Sequence, residues 1–234
     1  MIEVEELRGY AICTSARAGS NWLCMLLSST GCLGNPREYF NSRGRRLFDD
    51  PTYPEEPAEQ FRRILTMGAT PNRVYGLKVS PSQHDKVSPA CAWTALLPNL
   101  KFVWLQRRDV LGQALSAARG IQTGQFRSTV PAKAPPTYDA NLVKGSLAAT
   151  VKDQARWALF FARTGIAPLM IYYEDLAENP QAIVDQIAGL IGLGQRAIVR
   201  PDLIELNVQR DAITEEWRAR FLREEGGRDV VDPL

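Results

Sequence analysis

Short apolar runs alternate along the chain with longer segments whose apolar positions recur at helical spacing. The apolar runs contain β-branched and aromatic residues and predict four strands, Gly9–Thr14, Val74–Val79, Lys101–Leu105 and Leu169–Tyr173. The periodic segments predict six helices, Ser20–Thr30, Glu56–Thr66, Val110–Arg119, Leu147–Arg163, Pro180–Ile191 and Thr214–Glu224. Near-continuous apolar strands that alternate with helices are typical of a parallel sheet covered on both faces. The pattern therefore predicts an α/β fold of three layers, α/β/α, with a central parallel sheet of four to five strands.

Two segments between these elements, 41–57 and 120–141, are rich in proline and glycine and are predicted to be irregular. Irregular segments of this length inside a compact domain are usually functional lids or mobile loops. The length of 234 residues fits one domain, which we place over residues 1–234.

The overall composition narrows the class of protein. Apolar residues make up 45% of the chain and the net charge is only +2, so nothing favours binding to nucleic acid or to a membrane surface. The four cysteines form no C-x-x-C pair, which favours reduced thiols over disulfides or zinc. Glu3, Glu5 and Glu6 precede the first apolar run, and the apolar run at 22–27 is too short to cross a bilayer. We expect a cytoplasmic protein with no signal peptide and no stable membrane insertion.

The junction between the first strand and the first helix carries the clearest chemical signal. The strand stops at a small polar turn, Thr14–Gly19, and a helical pattern begins near Ser20. The first N–H groups of a helix lack partners and its dipole adds positive charge, so such a turn binds anions. Arg17 adds a guanidinium inside the turn. The junction predicts a phosphate- or sulfate-binding loop, with a plain surface turn as the alternative for Arg17.

This loop differs from the Walker A motif, G-x-x-x-x-G-K-[ST], because Ser20 and Asn21 follow Gly19 without a lysine. The missing lysine argues against magnesium-dependent nucleoside triphosphate chemistry. Two alternatives stay open from the residues alone. One is a P-loop-type nucleotide kinase or NTPase with Asp109 or Asp175 on Mg²⁺, and the other is a non-catalytic nucleotide-binding module.

Paired arginines end the third strand and predict a second anion site. Strand alternation turns one of the pair outward, and the eight-residue spacing from Arg108 to Ser116 favours Arg108 over Arg107. An arginine at a strand end and a serine on the next helix can both reach one anion. Glu174 and Asp175, after the fourth strand, mimic a Walker B acid, and we interpret them as structural.

These segments, in this order, resemble the sulfotransferases that use 3′-phosphoadenosine 5′-phosphosulfate (PAPS). The resemblance runs from about Tyr10 to about Phe221. Four shorter pieces resemble the bacterial trehalose sulfotransferase group: the sequence GNPREYF at 34–40, the Arg107–Asp109 triplet, Trp157 before Phe160 and Phe161, and TEEW at 214–217. The resemblance implies a P-loop-like fold, PAPS as co-substrate with adenosine 3′,5′-bisphosphate as product, and no metal. It also implies a carbohydrate or glycolipid acceptor, met by segments 41–57 and 120–141, and a homodimer.

Site residues follow from the resemblance position by position. It assigns donor binding to Arg17, Ala18, Gly19, Ser20, Asn21, Trp22, Arg108, Ser116 and Tyr173. Positions 18–21 would hold the 5′-phosphate and Arg17 the transferred group. Arg108 and Ser116 would hold the 3′-phosphate. Trp22 and Tyr173 would lie near the adenine, with a core role as the alternative for Trp22.

The resemblance also implies the catalytic base. The Lys-x-His motif common in the superfamily is incomplete here, because Ser80 stands where the histidine would be in Lys78–Ser80. In the trehalose sulfotransferase group the base is a glutamate, and Glu38 is the matching residue, which makes Glu38 and Arg17 the predicted catalytic pair. The alternative for Glu38 is a loop carboxylate paired with Arg37 or Arg43. His84 is the only histidine, and we interpret it as a turn or surface residue, with substrate contact as the alternative.

Overall fold

A computed structural model of the chain describes residues 6–126, 131–205 and 212–227. A four-stranded sheet lies at its centre, formed by β1 (Arg8–Thr14), β2 (Val74–Val79), β3 (Leu100–Gln106) and β4 (Leu169–Tyr172). The strand order is β2-β1-β3-β4, and every neighbouring pair is parallel. This confirms the predicted parallel sheet, with each strand boundary within one residue of the prediction.

Helices follow and separate the strands along the chain. They are α1 (Ser20–Ser29), α2 (Ser42–Phe48), α3 (Pro57–Met67), α4 (Pro81–Val87), α5 (Trp93–Leu96), α6 (Val110–Thr123), α7 (Ala140–Thr164), α8 (Tyr173–Glu178), α9 (Pro180–Leu190) and α10 (Ala212–Glu225). A 3₁₀ turn occupies Pro201–Leu203. In the described part of the chain, no helix combines the length and the apolar character needed to cross a bilayer.

The two faces of the sheet bury two separate apolar cores. Side chains alternate along a strand, so Tyr10 and Ile12 of β1 enter one core while Ala11 and Cys13 enter the other. The first core contains residues of α1 and α9, and the second contains residues of α3 and of the C-terminal half of α7. Because helices cover both faces, the strands read as continuous apolar runs, and the predicted α/β/α layering is confirmed.

The described residues form two compact units. The first contains the described residues up to Arg108 together with Asp153–Ile204, and it holds the whole sheet. The second contains the described residues of Asp109–Lys152 and those after Ile204. Within the second unit an apolar core joins Leu115, Ala118, Val143, Trp217 and Phe221. The expectation of one domain over residues 1–234 stays a prediction.

The sequence pattern missed the short helices. Segment 41–57, predicted to be irregular, contains α2, whose sequence SRGRRLF has no apolar repeat. A cap and an ion pair stabilise this helix instead: the Asn41 side chain accepts from the Gly44 N–H, and Arg45 pairs with Asp49 at 2.7 Å.

The second segment predicted to be irregular, 120–141, is bounded by helices that reach further than the pattern indicated. α6 continues to Thr123, and α7 begins at Ala140 rather than Leu147. Val143 is buried in the apolar core of the second unit, which supports the additional turns of α7. Residues 127–130 of this segment lie outside the described residues.

Candidate active site

The carboxyl ends of the four parallel strands meet at one edge of the sheet. The chain runs from β1 to β2 on one side and from β3 to β4 on the other, so the strand order reverses between the adjacent strands β1 and β3. Ligands of open α/β sheets bind where the strand order reverses in this way. At this edge β1 continues into the Thr14–Gly19 loop and β3 continues into Arg107 and Arg108.

The Thr14–Gly19 loop turns sharply before α1. Arg17 has φ 64° and Gly19 has φ 87°, so both residues take the left-handed conformation. A Cβ atom on Gly19 would overlap the ring of Tyr173. Glycine is therefore required at position 19 both by its backbone angle and by the close approach of this ring.

The N-terminus of α1 has the properties of an anion site. Its first intrahelical bond runs from the Leu23 N–H to the Gly19 carbonyl at 3.1 Å, so the N–H groups of Ser20, Asn21 and Trp22 have no partner inside the helix. No acidic residue stands in this first turn of the sequence to neutralise the helix dipole. The backbone thus directs donors and partial positive charge to the edge of the sheet where the loop lies.

Trp157 fixes the start of this loop. Its indole N–H donates to the Thr14 carbonyl at 3.1 Å, and the Trp157 side chain is buried.

We expect Trp157→Phe to lower the free energy of unfolding by about 1–3 kcal/mol, because the buried Thr14 carbonyl loses its donor. Urea unfolding measures this loss. Trp93→Phe is the matched control, since the Trp93 indole donates to the part-buried hydroxyl of Ser88; equal losses in both variants would contradict a special role for Trp157.

Backbone contacts place Glu38 beside the end of β2. The Lys78 N–H donates to the Arg37 carbonyl at 2.9 Å, and the buried Tyr53 hydroxyl donates to the Tyr39 carbonyl at 2.9 Å. Both residues that flank Glu38 are therefore held by hydrogen bonds. The carboxylate is fixed next to the strand that ends at the site.

The Glu38 carboxylate has two partners. Its Oε1 lies 3.1 Å from Lys78 Nζ, and its Oε2 accepts from Asn41 Nδ2 at 2.9 Å. Burial raises the pKa of Glu38, but the charge of Lys78 and the hydrogen bonds from Asn41 and Lys78, with a smaller effect of Arg45, together lower it below its ordinary value. The side chain is therefore an ionised carboxylate at neutral pH. The predicted alternative partners, Arg37 and Arg43, are wrong: the ion pair of Glu38 is with Lys78, and Arg37 lies 3.6 Å from Asp49.

Lys78 is the site residue that the sequence interpretation missed. Its ammonium group also donates to Asn21 Oδ1 at 2.6 Å, so one buried lysine joins Glu38 to the first turn of α1. A lysine inside an otherwise apolar buried strand was the available signal, because an unpaired ammonium there would be costly. By its sequence motif alone, Lys78 stands out only as part of an incomplete Lys-x-His motif.

The two arginines after β3 have different surroundings. The Arg108 guanidinium makes two bonds to Asp175, at 2.6 and 2.7 Å, and lies 4.2 Å from the Tyr172 ring. The Arg107 guanidinium lies 5.0 Å from the ring of Tyr173, the same ring that packs on the loop. The contacts of Asp175 agree with its interpretation as a structural residue.

Asp109, the other acid considered for Mg²⁺, also has hydrogen-bond and ion-pair partners within the protein. It caps α6 by accepting from the Gly112 N–H at 2.9 Å and pairs with Arg218 at 2.7 Å. Ser116 lies on α6 in the second unit and is half-buried. The pairing of Arg108 with Ser116 around one phosphate stays a prediction.

Comparison with known proteins decides the family. A family model described as Stf0 sulphotransferase matches residues 9–224, which is most of the 234-residue chain. The chain belongs to the Stf0 sulphotransferase family. It is a sulfotransferase enzyme, and the kinase and binding-module alternatives lose their support.

Two relatives are similar to this Stf0 sulphotransferase over nearly their whole length. The trehalose 2-sulfotransferase of Mycobacterium tuberculosis strain Erdman is 28% identical over 262 residues, covering 93% of this chain and 96% of that protein. The trehalose 2-sulfotransferase of Mycolicibacterium smegmatis is 26% identical over 255 residues, covering 92% and 94%.

Two solved structures are also similar to this Stf0 sulphotransferase. The sulfotransferase domain of the Synechococcus PCC 7002 olefin synthase has a TM-score of 0.48 and 15% identity, covering 92% of this chain and 89% of that chain. The sulfotransferase domain of the curacin biosynthetic pathway has a TM-score of 0.48 and 16% identity, covering 92% and 98%.

Two aromatic side chains of the Stf0 sulphotransferase stand at the N-terminus of α1. Trp22 meets Tyr173 edge to face, with ring centroids 6.2 Å apart. Trp22 is half-buried against the first core, so both interpretations of this residue, adenine contact and packing, stay open. Tyr173 begins α8 instead of ending β4, because the chain turns at Tyr172.

The prediction that His84 is a turn or surface residue is wrong, and its alternative role as a substrate contact stays a prediction. It lies on α4 and its side chain is only 14% exposed, packed against the rings of Trp93, Trp157 and Phe160. Burial lowers the pKa of His84 below its ordinary value, although Asp85 opposes the shift. The imidazole is therefore neutral at neutral pH and part of an aromatic cluster that reaches Trp157.

Proposed function

We propose that this enzyme transfers a sulfuryl group from PAPS to a hydroxyl of a carbohydrate or glycolipid. The observation that carries the proposal is the Glu38 carboxylate, held ionised beside an anion-binding helix terminus and joined to it through Lys78. Two relatives of similar length are named for sulfation of trehalose, a carbohydrate. Acceptor and donor functions would thus stand on either side of one lysine.

In the proposed reaction the acceptor hydroxyl oxygen attacks the sulfur atom in line with the departing phosphate oxygen. An oxygen–sulfur bond forms to the acceptor, and the sulfur–oxygen bond to the 5′-phosphate breaks, which releases adenosine 3′,5′-bisphosphate. Glu38 takes the hydroxyl proton as general base. Arg17 and the N–H groups of α1 stabilise the negative charge that develops on the transferring group and the leaving oxygen.

The remaining donor contacts follow the same proposal. Positions 18–21 would bind the 5′-phosphate, Trp22 and Tyr173 would contact the adenine, and Arg108 with Ser116 would bind the 3′-phosphate. A guanidinium has five N–H donors, and Asp175 uses two of those on Arg108. Arg108 therefore keeps donors for a phosphate while Asp175 holds its side chain in place.

Donor binding is tested with adenosine 3′,5′-bisphosphate as the calorimetric probe. We expect binding without added metal, and an affinity reduced about 10- to 100-fold in Arg108→Ala, because charge-assisted hydrogen bonds to the 3′-phosphate are lost. Arg62→Ala is the matched control, since Arg62 is an exposed arginine on α3 that pairs with Glu59. Preferential binding of ATP that requires Mg²⁺ would contradict the proposal.

The acceptor is tested by incubating the enzyme with labelled PAPS and a panel of carbohydrates and glycolipids that includes trehalose. Transfer of label to a hydroxyl of one of them is the expected result. Failure of every sugar, together with transfer to a phenol or an amine, would contradict a carbohydrate acceptor. The homodimer stays a prediction that sedimentation measurements test directly.

A further inference from the structure

We infer that Asn41 is a positioning residue that holds the Glu38 carboxylate in its reactive orientation and ties that orientation to the first turn of α2. The inference rests on the proposed role of Glu38 as general base. Asn41 follows Glu38 closely in the sequence and immediately precedes α2 at Ser42. It is therefore the residue through which segment 41–57 begins at the site.

Each polar group of Asn41 is committed, two to Glu38 and two to α2. Its backbone N–H donates to the Glu38 carbonyl at 3.2 Å, and its side-chain Nδ2 donates to Glu38 Oε2 at 2.9 Å. Its side-chain Oδ1 accepts from the Gly44 N–H at 3.0 Å, and its carbonyl accepts from the Arg45 N–H at 2.8 Å. Because the cap fixes the amide plane, it also fixes the directions of the two Nδ2 N–H bonds, one of which points to Glu38 Oε2.

Each oxygen of the Glu38 carboxylate has a donor of its own. Asn41 holds Oε2 and Lys78 holds Oε1, so the plane of the carboxylate is defined by two donors on different elements. The Lys78 ammonium is shared between Glu38 and Asn21, whereas the short amide of Asn41 is fixed by its cap and donates to Glu38. Asn41 is consequently the partner that sets the orientation, and Lys78 mainly supplies charge.

Gly44 provides independent support, because its missing side chain makes room for the Asn41 amide. A Cβ on Gly44 would lie 2.6 Å from Asn41 Nδ2 and 2.9 Å from its Cγ. Gly44 does not have a positive φ, so an alanine is compatible with its helical backbone. A glycine inside a short helix is unfavourable by propensity, and the space for this amide explains its presence.

The ionisable groups around Glu38 come from three elements. They are Lys78 on β2, Arg45 on α2 and the Cys24 thiol on α1. Burial raises the pKa of Cys24 to about 11, so this thiol stays neutral near pH 7 and Lys78 and Arg45 are the charges that face the carboxylate. Any change in the titration of Glu38 caused by Asn41 is therefore measured against a constant surrounding charge.

Four variants separate positioning from capping. Asn41→Asp keeps an N-cap oxygen but places a second carboxylate against Glu38. Asn41→Ser keeps a cap but replaces the amide donor with a shorter hydroxyl, and Asn41→Ala loses both the cap and the donor. Gly44→Ala displaces the amide without altering Asn41 and raises helix propensity. The readouts are the pKa of the Glu38 carboxyl by carbon NMR, the pH profile of kcat, KM for PAPS, and the melting temperature.

We expect the Glu38 pKa to rise in all four variants, most in Asn41→Asp, by about one unit or more, because a like charge disfavours the carboxylate. The acid limb of kcat moves upward with it, and KM for PAPS changes less than kcat. Near neutral pH each variant melts earlier to the extent that its Glu38 pKa rises, and Asn41→Ala melts lower by about a further 2–4 °C because it also loses the cap.

An unchanged Glu38 pKa in all four variants, with the lower melting temperature of Asn41→Ala alone, would overturn the inference and leave Asn41 as a cap. A shifted Glu38 pKa combined with full turnover of Glu38→Gln would support the positioning of Glu38 by Asn41 and contradict instead the proposed base. The two ideas therefore fail by different results.

Discussion

Glu38→Gln is expected to lower kcat for sulfuryl transfer by about 10²- to 10⁴-fold, the range that a general base contributes. The amide keeps the size of the side chain and an oxygen that can accept from Lys78, but it cannot take the hydroxyl proton. The carboxylate is well suited to this step because Lys78 and Asn41 keep it ionised. Single-turnover transfer from labelled PAPS measures the loss.

Binding separates this loss from damage to the donor site. Adenosine 3′,5′-bisphosphate should bind the Glu38→Gln variant within about threefold of the parent enzyme, because the proposed donor contacts do not involve Glu38. Glu59→Gln on α3 removes one exposed carboxylate that pairs with Arg62 and should leave kcat unchanged. Turnover of Glu38→Gln near the parent rate would show that another group accepts the proton.

The sequence predicted the parts of the fold that local pattern controls. The strands are apolar because both faces of the sheet are covered, and the loop before α1 is marked by small polar residues and Gly19. The requirement for glycine at position 19 depends partly on Tyr173, which is distant in the sequence. The loop could thus be found from its own residues, but the reason for its shape could not.

The contact between Lys78 and Glu38 depends on tertiary structure, and nothing in the sequence around Glu38 identifies Lys78 as its partner. Lys78 reaches Glu38 because the backbone of Arg37 is hydrogen-bonded to β2, and Lys78 reaches Asn21 across 57 positions of sequence. His84 is packed against Trp93, Trp157 and Phe160, which belong to two other helices. A charged residue in a buried strand and a polar residue packed against aromatic rings are therefore the positions where sequence pattern and structure differ most.

Arg17→Ala is expected to lower kcat by about 10²- to 10³-fold, the cost of removing one well-placed donor from a developing negative charge. Arg17 is held half-buried in the left-handed conformation, with φ 64°, within the loop that leads into α1. Its role is proposed at the transferred sulfuryl group, which adenosine 3′,5′-bisphosphate lacks. Affinity for this product should therefore fall less than about tenfold while turnover falls much further.

Two further variants at position 17 distinguish the guanidinium from the backbone. Arg17→Lys keeps the charge but loses the planar donor fork, so its kcat should lie between those of the parent enzyme and Arg17→Ala. Arg17→Gly adopts a positive φ without strain, so it should be as slow as Arg17→Ala if the guanidinium is what matters. An Arg17→Gly variant as fast as the parent would make loop geometry the cause. A fall in bisphosphate affinity equal to the fall in kcat would instead make Arg17 a ligand of the bound nucleotide rather than of the reacting group.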